Sequence, residues 1–151
     1  MEKRIKIYET EPQGYKAMFA LEGYLAKIEI SKSLKELIKI RASQINNCAF
    51  CLDMHAKDAV NNGESPQRIF LLSAWREATQ FFTEEEQTAL SMTEEITLIH
   101  QNGLSSETYQ RASRVFTDNQ IAQIIMVIVT INAWNRIAVS THMEVGQAAS
   151  I

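Results

Sequence analysis

Breakers and cross-links are scarce in this sequence: 2 prolines, 5 glycines and 2 cysteines in 151 residues. So few breakers disfavour a turn-rich β fold and favour helices. A chain of this length buries roughly 68–70% of its unfolded surface. One domain over 1–151 therefore needs no disulfide framework or structural metal to hold a core. Basic charge is not in excess either. Lys and Arg total 15 against 18 Asp and Glu, a net charge of -3, and EKRIK at 2–6 is the densest basic group. That excludes the basic patch of a nucleic-acid partner, and a short mixed-charge end reads as solvated. MEKRIKIYET lacks the apolar core of a secretory leader. The most apolar stretch, IAQIIMVIVTINAW at 121–134, is interrupted by Gln123, Thr130 and Asn132. It falls short of roughly 18 uninterrupted apolar residues, so no membrane partner is expected. A cytoplasmic protein is the expectation, and in a reducing compartment a close cysteine pair is more often catalytic or metal-binding than structural.

What is present is helical pattern. YKAMFALEGYLAKI at 15–28 puts Met18, Leu21, Leu25 and Ile28 on one face. In SLKELIKIRASQIN, Ser33 and Glu36 fit a capping box, with Leu34, Leu37, Ile38 and Ile45 as the apolar stripe. NNCAFCLDMHAKDAVNNG follows as a further helix, capped by Asn47 and stopped at Gly63. Ser65-Pro66 opens SPQRIFLLSAWREA. Thr83 with Glu86 opens the next helix, which Asn102-Gly103 stops, and SSETYQRASRVF forms a shorter one. Thr117 with Gln120 opens the last, TDNQIAQIIMVIVTINAWNRIAVS. Apolar on most sides, that last helix is a central core helix or a subunit contact. IKIYE near the start alternates weakly and fits a short extended arm. The expected fold is all-α, with six or seven helices and no internal repeat.

The cysteines carry the chemistry. On a helix over 48–62, Cys48 and Cys51 are three apart and His55 is four further on, so all three share one stripe. The thiols fall in the first turn, where unpaired N–H groups and the helix dipole favour a thiolate. That physics alone makes Cys48 the more acidic of the two. A nucleophile, a second thiol able to condense with a sulfenic acid, and an imidazole to carry the proton suit peroxide reduction or disulfide exchange. Two other readings stand beside this one. Two Cys and one His are three of the four ligands of a tetrahedral zinc site, and cysteines are also common as small core residues. CxxC followed by Leu52 rather than His does not fit haem attachment.

The wider pattern is Glu36, eleven residues, Cys48-Ala49-Phe50-Cys51, three residues, His55. This E-x(11)-CxxC-x(3)-H resembles the alkylhydroperoxidase D-like (AhpD-like) branch of the carboxymuconolactone decarboxylase family. RASQINNCAFCLDMHAKDAVNNGESPQRI resembles its core, and WREATQFFTEEEQTALSMTEEITLI and WNRIAVS resemble its C-terminal half; together the likeness spans about 15–140. The resemblance implies an oligomeric all-helical fold, trimeric or hexameric, and thiol-dependent reduction of small organic hydroperoxides. It implies that Cys51 attacks the peroxide, Cys48 resolves the sulfenic acid as a Cys48–Cys51 disulfide, and Glu36 and His55 relay protons. It implies no organic cofactor, and a dithiol electron donor to reopen the disulfide. The family's decarboxylases lack the cysteine pair, so CxxC argues against lactone decarboxylation. Phe50 stands where the family's best-known peroxidases carry a His. Read from the residues alone, Glu36 is a solvated capping residue on the face opposite its helix's apolar stripe.

Other positions carry less. His100 precedes a glycine stop and favours a helix C-terminus, and His142 follows the last helix with nothing in the sequence to pair with it. Trp75, Phe81, Phe82 and Trp134 could line an apolar pocket or, as aromatics at helical spacing usually do, the core. Asn135 and Arg136 sit beside the apolar run and are expected to bond across a subunit contact.

Overall fold

A computed structural model describes residues 4–146 of the chain. Eight α-helices and two 3-10 turns make up the regular structure among the described residues, with no strand. They are α1 (Ile7–Thr10), α2 (Pro12–Leu25), α3 (Lys32–Ile45), α4 (Ala49–Asn61), α5 (Pro66–Leu71), α6 (Glu84–Thr97), α7 (Ser106–Val115) and α8 (Asp118–Thr141). The all-helical expectation holds. The extra helix is α1, a single turn where an extended arm was expected. The Thr10 and Glu9 amides both donate to Lys6 O, Lys6 pairs with Glu9 at 3.4 Å, and Tyr8 packs on Tyr15 with ring centroids 5.9 Å apart. Of the basic N-terminal group, Arg4 donates to Ser140 O and Lys6 is exposed; Glu2 and Lys3 lie outside the described residues.

Local signals set most helix ends. Pro12 and Pro66 occupy first-turn positions of α2 and α5. Thr83 with Glu86 and Thr117 with Gln120 form complete capping boxes on α6 and α8. The expected box at Ser33 and Glu36 does not form. Ser31 caps α3, accepting from the Leu34 amide, while Ser33 donates to Glu64 and Glu36 turns to His55. Asn47 does not cap α4. It takes φ 54° and closes α3 instead. Its amide bonds Gln44 O while the Cys48 amide reaches back to Ser43 O at 3.0 Å. That pair of bonds is a Schellman ending, with asparagine in the left-handed position usually given to glycine. Gly63 closes α4 in the same way, with φ 93° and a Glu64 amide bond to Ala59 O.

The fifth helix is shorter than its sequence suggests. It ends at Leu71 and gives way to a 3-10 turn at Leu72–Ala74. The turn lets Leu72 and Trp75 enter the core beside Leu37, Ile40 and Leu90. Phe82 is buried there and Phe81 packs on it, so three of the four candidate pocket aromatics are core. α6 stops at Thr97, so His100 lies beyond it, exposed in a turn, and cannot serve its C-terminus.

α3 and α8 organise the bundle: α3 packs on α4, α6 and α8, and α8 also meets α2, α4, α6 and α7. By length and composition α8, at 24 residues, could cross a membrane, yet half of its most apolar window is buried against other helices. It is the core helix of the bundle. The polar residues that interrupt its apolar run are used internally. Gln123 accepts from the Glu29 amide, Thr130 donates to Met126 O, and Asn132 donates to Thr97 Oγ1. Asn135, 1% exposed, donates to Ser43 Oγ and accepts from Asn46, which also donates to Asn132. Arg136 donates to the backbone and side-chain oxygens of Asn132. Asn135 is thus satisfied within the chain, while Arg136, also bonded internally, stays exposed. Buried amides need such partners, and these fasten the end of α3 to α8 immediately before the cysteines.

Candidate active site around Cys51, Glu36 and His55

The turn closed by Asn47 delivers Cys48 to the N-cap of α4 rather than to its first turn. Cys51 is the third residue of the helix, and its amide donates to Cys48 Sγ at 3.3 Å. The sulfurs of Cys48 and Cys51 are joined in a disulfide, with Cα atoms 5.4 Å apart. Both residues are buried, at 1% and 2% exposure, among Ala42, Phe50, Ile131 and Ala138. One turn beyond Cys51, His55 is also buried, and its Nδ1 lies 2.8 Å from Glu36 Oε2. An ionised carboxylate only accepts, so facing one Nδ1 is the donor, and in the neutral ring that leaves Nε2 as the acceptor. α3 and α4 thus bring together the four residues singled out in the sequence. Glu36, expected from its own helix to be solvated, has a side chain only 13% exposed because α4 covers it.

Cys51, Glu36 and His55 line one cavity of about 230 Å³. Its apolar wall includes Phe50, Met54 and Ala138, together with three aromatic rings from α2 and α8. Tyr15, Phe19 and Trp134 meet edge-on with centroids 5.3–5.4 Å apart. Burial, and then the charge of Tyr8, pushes the Tyr15 hydroxyl above its ordinary range, so it stays protonated. On the polar wall, Lys39 Nζ lies 3.4 Å from Glu22 Oε2 and 4.0 Å from Glu36 Oε1. Glu22 Oε1 accepts from Trp134 Nε1 at 3.0 Å.

Sequence reasoning missed Glu22, Lys39, Asp58, Tyr15 and Phe19. Two carried a usable signal: Lys39 is three beyond Glu36 on α3, and Asp58 three beyond His55 on α4, so each shares a face with a candidate. Glu22, Tyr15 and Phe19 reach the cavity only because α2 lies across α8. Of the ligands in the zinc reading, the two sulfurs are bonded to each other and offer no thiolate in this state. Among the described residues, the side chains that converge with ligand atoms within 4.8 Å of one another are Glu36, His55 and Asp58. Asp58 is exposed and the other two already bond each other, which is an acid–base pair with a neighbour rather than a closed tetrahedral site.

An all-helical bundle with a CxxC pair at a helix start, backed by a Glu–His couple, defines a class of thiol protein. Residues 12–95 match the model of the carboxymuconolactone decarboxylase family, and the chain belongs to that family. A relative from Bacillus subtilis (strain 168), the uncharacterized protein YdfG, is 42% identical over 140 residues, 93% of this chain and 95% of its own. A structure from Agrobacterium tumefaciens, of unknown function and provisionally assigned as antioxidant defence protein AhpD, matches with TM-score 0.92 and 37% identity. The match covers 97% of this chain and all of that one, and places the chain with the AhpD-like branch. An uncharacterized peroxidase-related protein from Silicibacter sp. TM1040 matches with TM-score 0.75 and 25% identity, over 85% of this chain and 68% of that one. The debrominase Bmp8 matches with TM-score 0.80 over 91% of this chain and 73% of its own, at 17% identity, a likeness of fold alone.

Proposed function

We propose that this chain is a thiol peroxidase that reduces small organic hydroperoxides through the Cys48–Cys51 pair. The observation that carries the reading is the convergence of Cys51 with the 2.8 Å Glu36–His55 couple on one cavity. In the reduced protein, His55 accepts the Cys51 thiol proton while Glu36 steadies the imidazolium that forms. The thiolate attacks the peroxide oxygen that ends the molecule. The O–O bond breaks, Cys51 becomes a sulfenic acid, and the departing alkoxide takes a proton from His55 and leaves as an alcohol. Cys48 then attacks the Cys51 sulfur, the S–O bond breaks, and with one proton the hydroxide leaves as water. The product is the disulfide, which a dithiol carrier reopens by exchange.

Cavity access supports Cys51 as the attacking atom, since it lines the cavity and Cys48 is not among the lining residues. The helix terminus favours Cys48 as the more acidic thiol, because the Cys51 amide points at its sulfur. Alkylation of reduced protein against pH, mapped by peptide, separates the two; a low apparent pKa at Cys48 alone would reverse the assignment. The reading includes one domain over 1–151, a reducing cytoplasmic setting in which the disulfide is catalytic, and a homotrimer or homohexamer, which sedimentation would disprove by finding a monomer.

The direct test starts from fully reduced protein. An equivalent of an organic hydroperoxide is added, samples are quenched with an alkylating agent, and intact mass is recorded over time. Rapid loss of both thiols with an internal disulfide is expected. Thiols that survive for hours would sink the proposal.

A further inference from the structure

We infer that the cavity admits uncharged organic hydroperoxides and turns away carboxylate-bearing ones, and that Glu22 sets this choice by neutralising Lys39. The word hydroperoxide rests on the peroxidase reading above; the charge selection stands on the cavity itself. Lys39 carries the one ammonium among the described residues that line it. A buried ammonium beside a reactive thiol would ordinarily be a hook for an anionic substrate. Here its charge is already answered twice, by Glu22 at 3.4 Å and Glu36 at 4.0 Å. Asp58 adds a third carboxylate to the lining. Three carboxylates against one ammonium leave the polar wall negative whether His55 is neutral or protonated. An entering carboxylate would lose hydration and gain no free cation, and like charges in a poorly solvated site repel.

Glu22 is held for this role. One of its oxygens accepts the Trp134 indole N–H at 3.0 Å, which leaves the other turned to Lys39. Trp134 in turn completes the trio with Tyr15 and Phe19, so one residue joins the charged wall to the aromatic one. The volume sets the size of guest. An apolar cavity of about 150 Å³ holds benzene, so a space of about 230 Å³ suits a single aryl ring or a short branched alkyl group.

The test uses the oxidised, disulfide-bonded protein, in which no turnover occurs. Two unreactive probes are titrated, 2-phenyl-2-propanol and benzoate, and the Trp134 indole N–H signal is followed by NMR. The alcohol is expected to bind at least about tenfold more tightly than benzoate. Glu22→Gln keeps an amide oxygen for the Trp134 N–H but removes the charge, and the ratio is expected to fall to within about threefold. Asp58→Asn, at an exposed position, covers the case in which the Glu22 variant does not fold, and is expected to narrow the ratio by about twofold. Benzoate binding as tightly as the alcohol, or no shift with either probe, would overturn the selection. A ratio unchanged in a folded Glu22→Gln protein would remove Glu22 from it. Intact selection in a protein that consumes no hydroperoxide would instead strike the peroxidase reading and leave the charge selection standing.

Discussion

Glu36 on α3 and Glu94 on α6 are carboxylates at similar depth, with side chains 13% and 15% exposed, and they keep opposite company. Glu94 accepts from Arg41 Nε at 2.8 Å, Trp75 Nε1 at 2.9 Å and an Arg76 guanidinium nitrogen at 2.6 Å. Guanidinium groups keep their protons at any ordinary pH, so the charge on Glu94 is answered permanently. It clamps α3, α6 and the segment after α5, and Arg76 also stacks over Trp75 at 4.3 Å. Glu36 instead faces an imidazole, a group able to take up or release a proton, and it borders a cavity that a thiol shares. Burial of a charge therefore does not mark the site in this fold. What marks it is a partner that can give up or take a proton, with room beside it for a reactant.

The comparison is sharpest when each carboxylate is neutralised in turn. Glu36→Gln should slow peroxide-driven loss of the thiols about 10²–10⁴-fold, the usual range for removing acid–base assistance. Its stability should stay within about 1 kcal/mol of the parent, because the amide can still bond His55. Cys51→Ser should abolish the reaction with the fold intact. Glu94→Gln should do the reverse. Leaving two guanidinium groups short of their anion should cost about 2–4 kcal/mol in denaturant unfolding, while the folded fraction keeps its rate. If Glu94→Gln slowed the folded protein as much as Glu36→Gln, the division between clamp and relay would be wrong.

Acid should separate the pair too. Burial pushes the Glu94 carboxyl up, but hydrogen bonds from Trp75 and Arg76 and the charge of Arg41 outweigh it and hold the group below the ordinary carboxylate range. A lowered folded-state pKa means that stabilisation is complete above the unfolded value of about 4.3 and fades as pH falls through the folded value. The stability difference between parent and Glu94→Gln should thus be constant near neutrality and shrink only below about pH 4.3. Unfolding curves collected between neutral and acid pH would check it; a difference that shrinks already near pH 6 would mean that Glu94 is not the group responsible.

These two carboxylates also show what the sequence could and could not reveal. The boxes at Thr83 and Thr117 were legible because a capping box is a contact three residues long, contained in its own pattern. The same pattern at Ser33 and Glu36 misled, because the competing partner, His55, is 19 residues away and reaches Glu36 only across the α3–α4 packing. Periodicity put Cys48, Cys51 and His55 on one stripe; Cys51 and His55 share the cavity, while Cys48 sits at the N-cap and meets them through Cys51. Glu36 joined them through the family resemblance, not through local physics. The aromatic trio and Glu22 had no local signal at all, since they depend on how α2 crosses α8. Asn135 and Arg136 looked like interface residues because polarity beside an apolar run suggests a partner outside. Within the chain, the end of α3 partners Asn135, and Asn132 one turn back on α8 partners Arg136.

The smallest expected effect concerns the turn that joins the two halves of the relay. Asn47 stands at φ 54° between the helix that carries Glu36 and the helix that carries both cysteines and His55. Asn47→Gly accepts that backbone freely, so stability and peroxide rate should both stay close to the parent's. Asn47→Ala must hold a Cβ in the left-handed region, at about 1 kcal/mol. If the strain is absorbed locally, denaturant unfolding moves by that amount and the rate does not. A rate loss without a matching stability loss would mean that the α3–α4 turn yields instead, drawing Glu36 away from His55. The clamp around Glu94 gives a control for that outcome, since it ties α3 to α6 and does not pass through the turn.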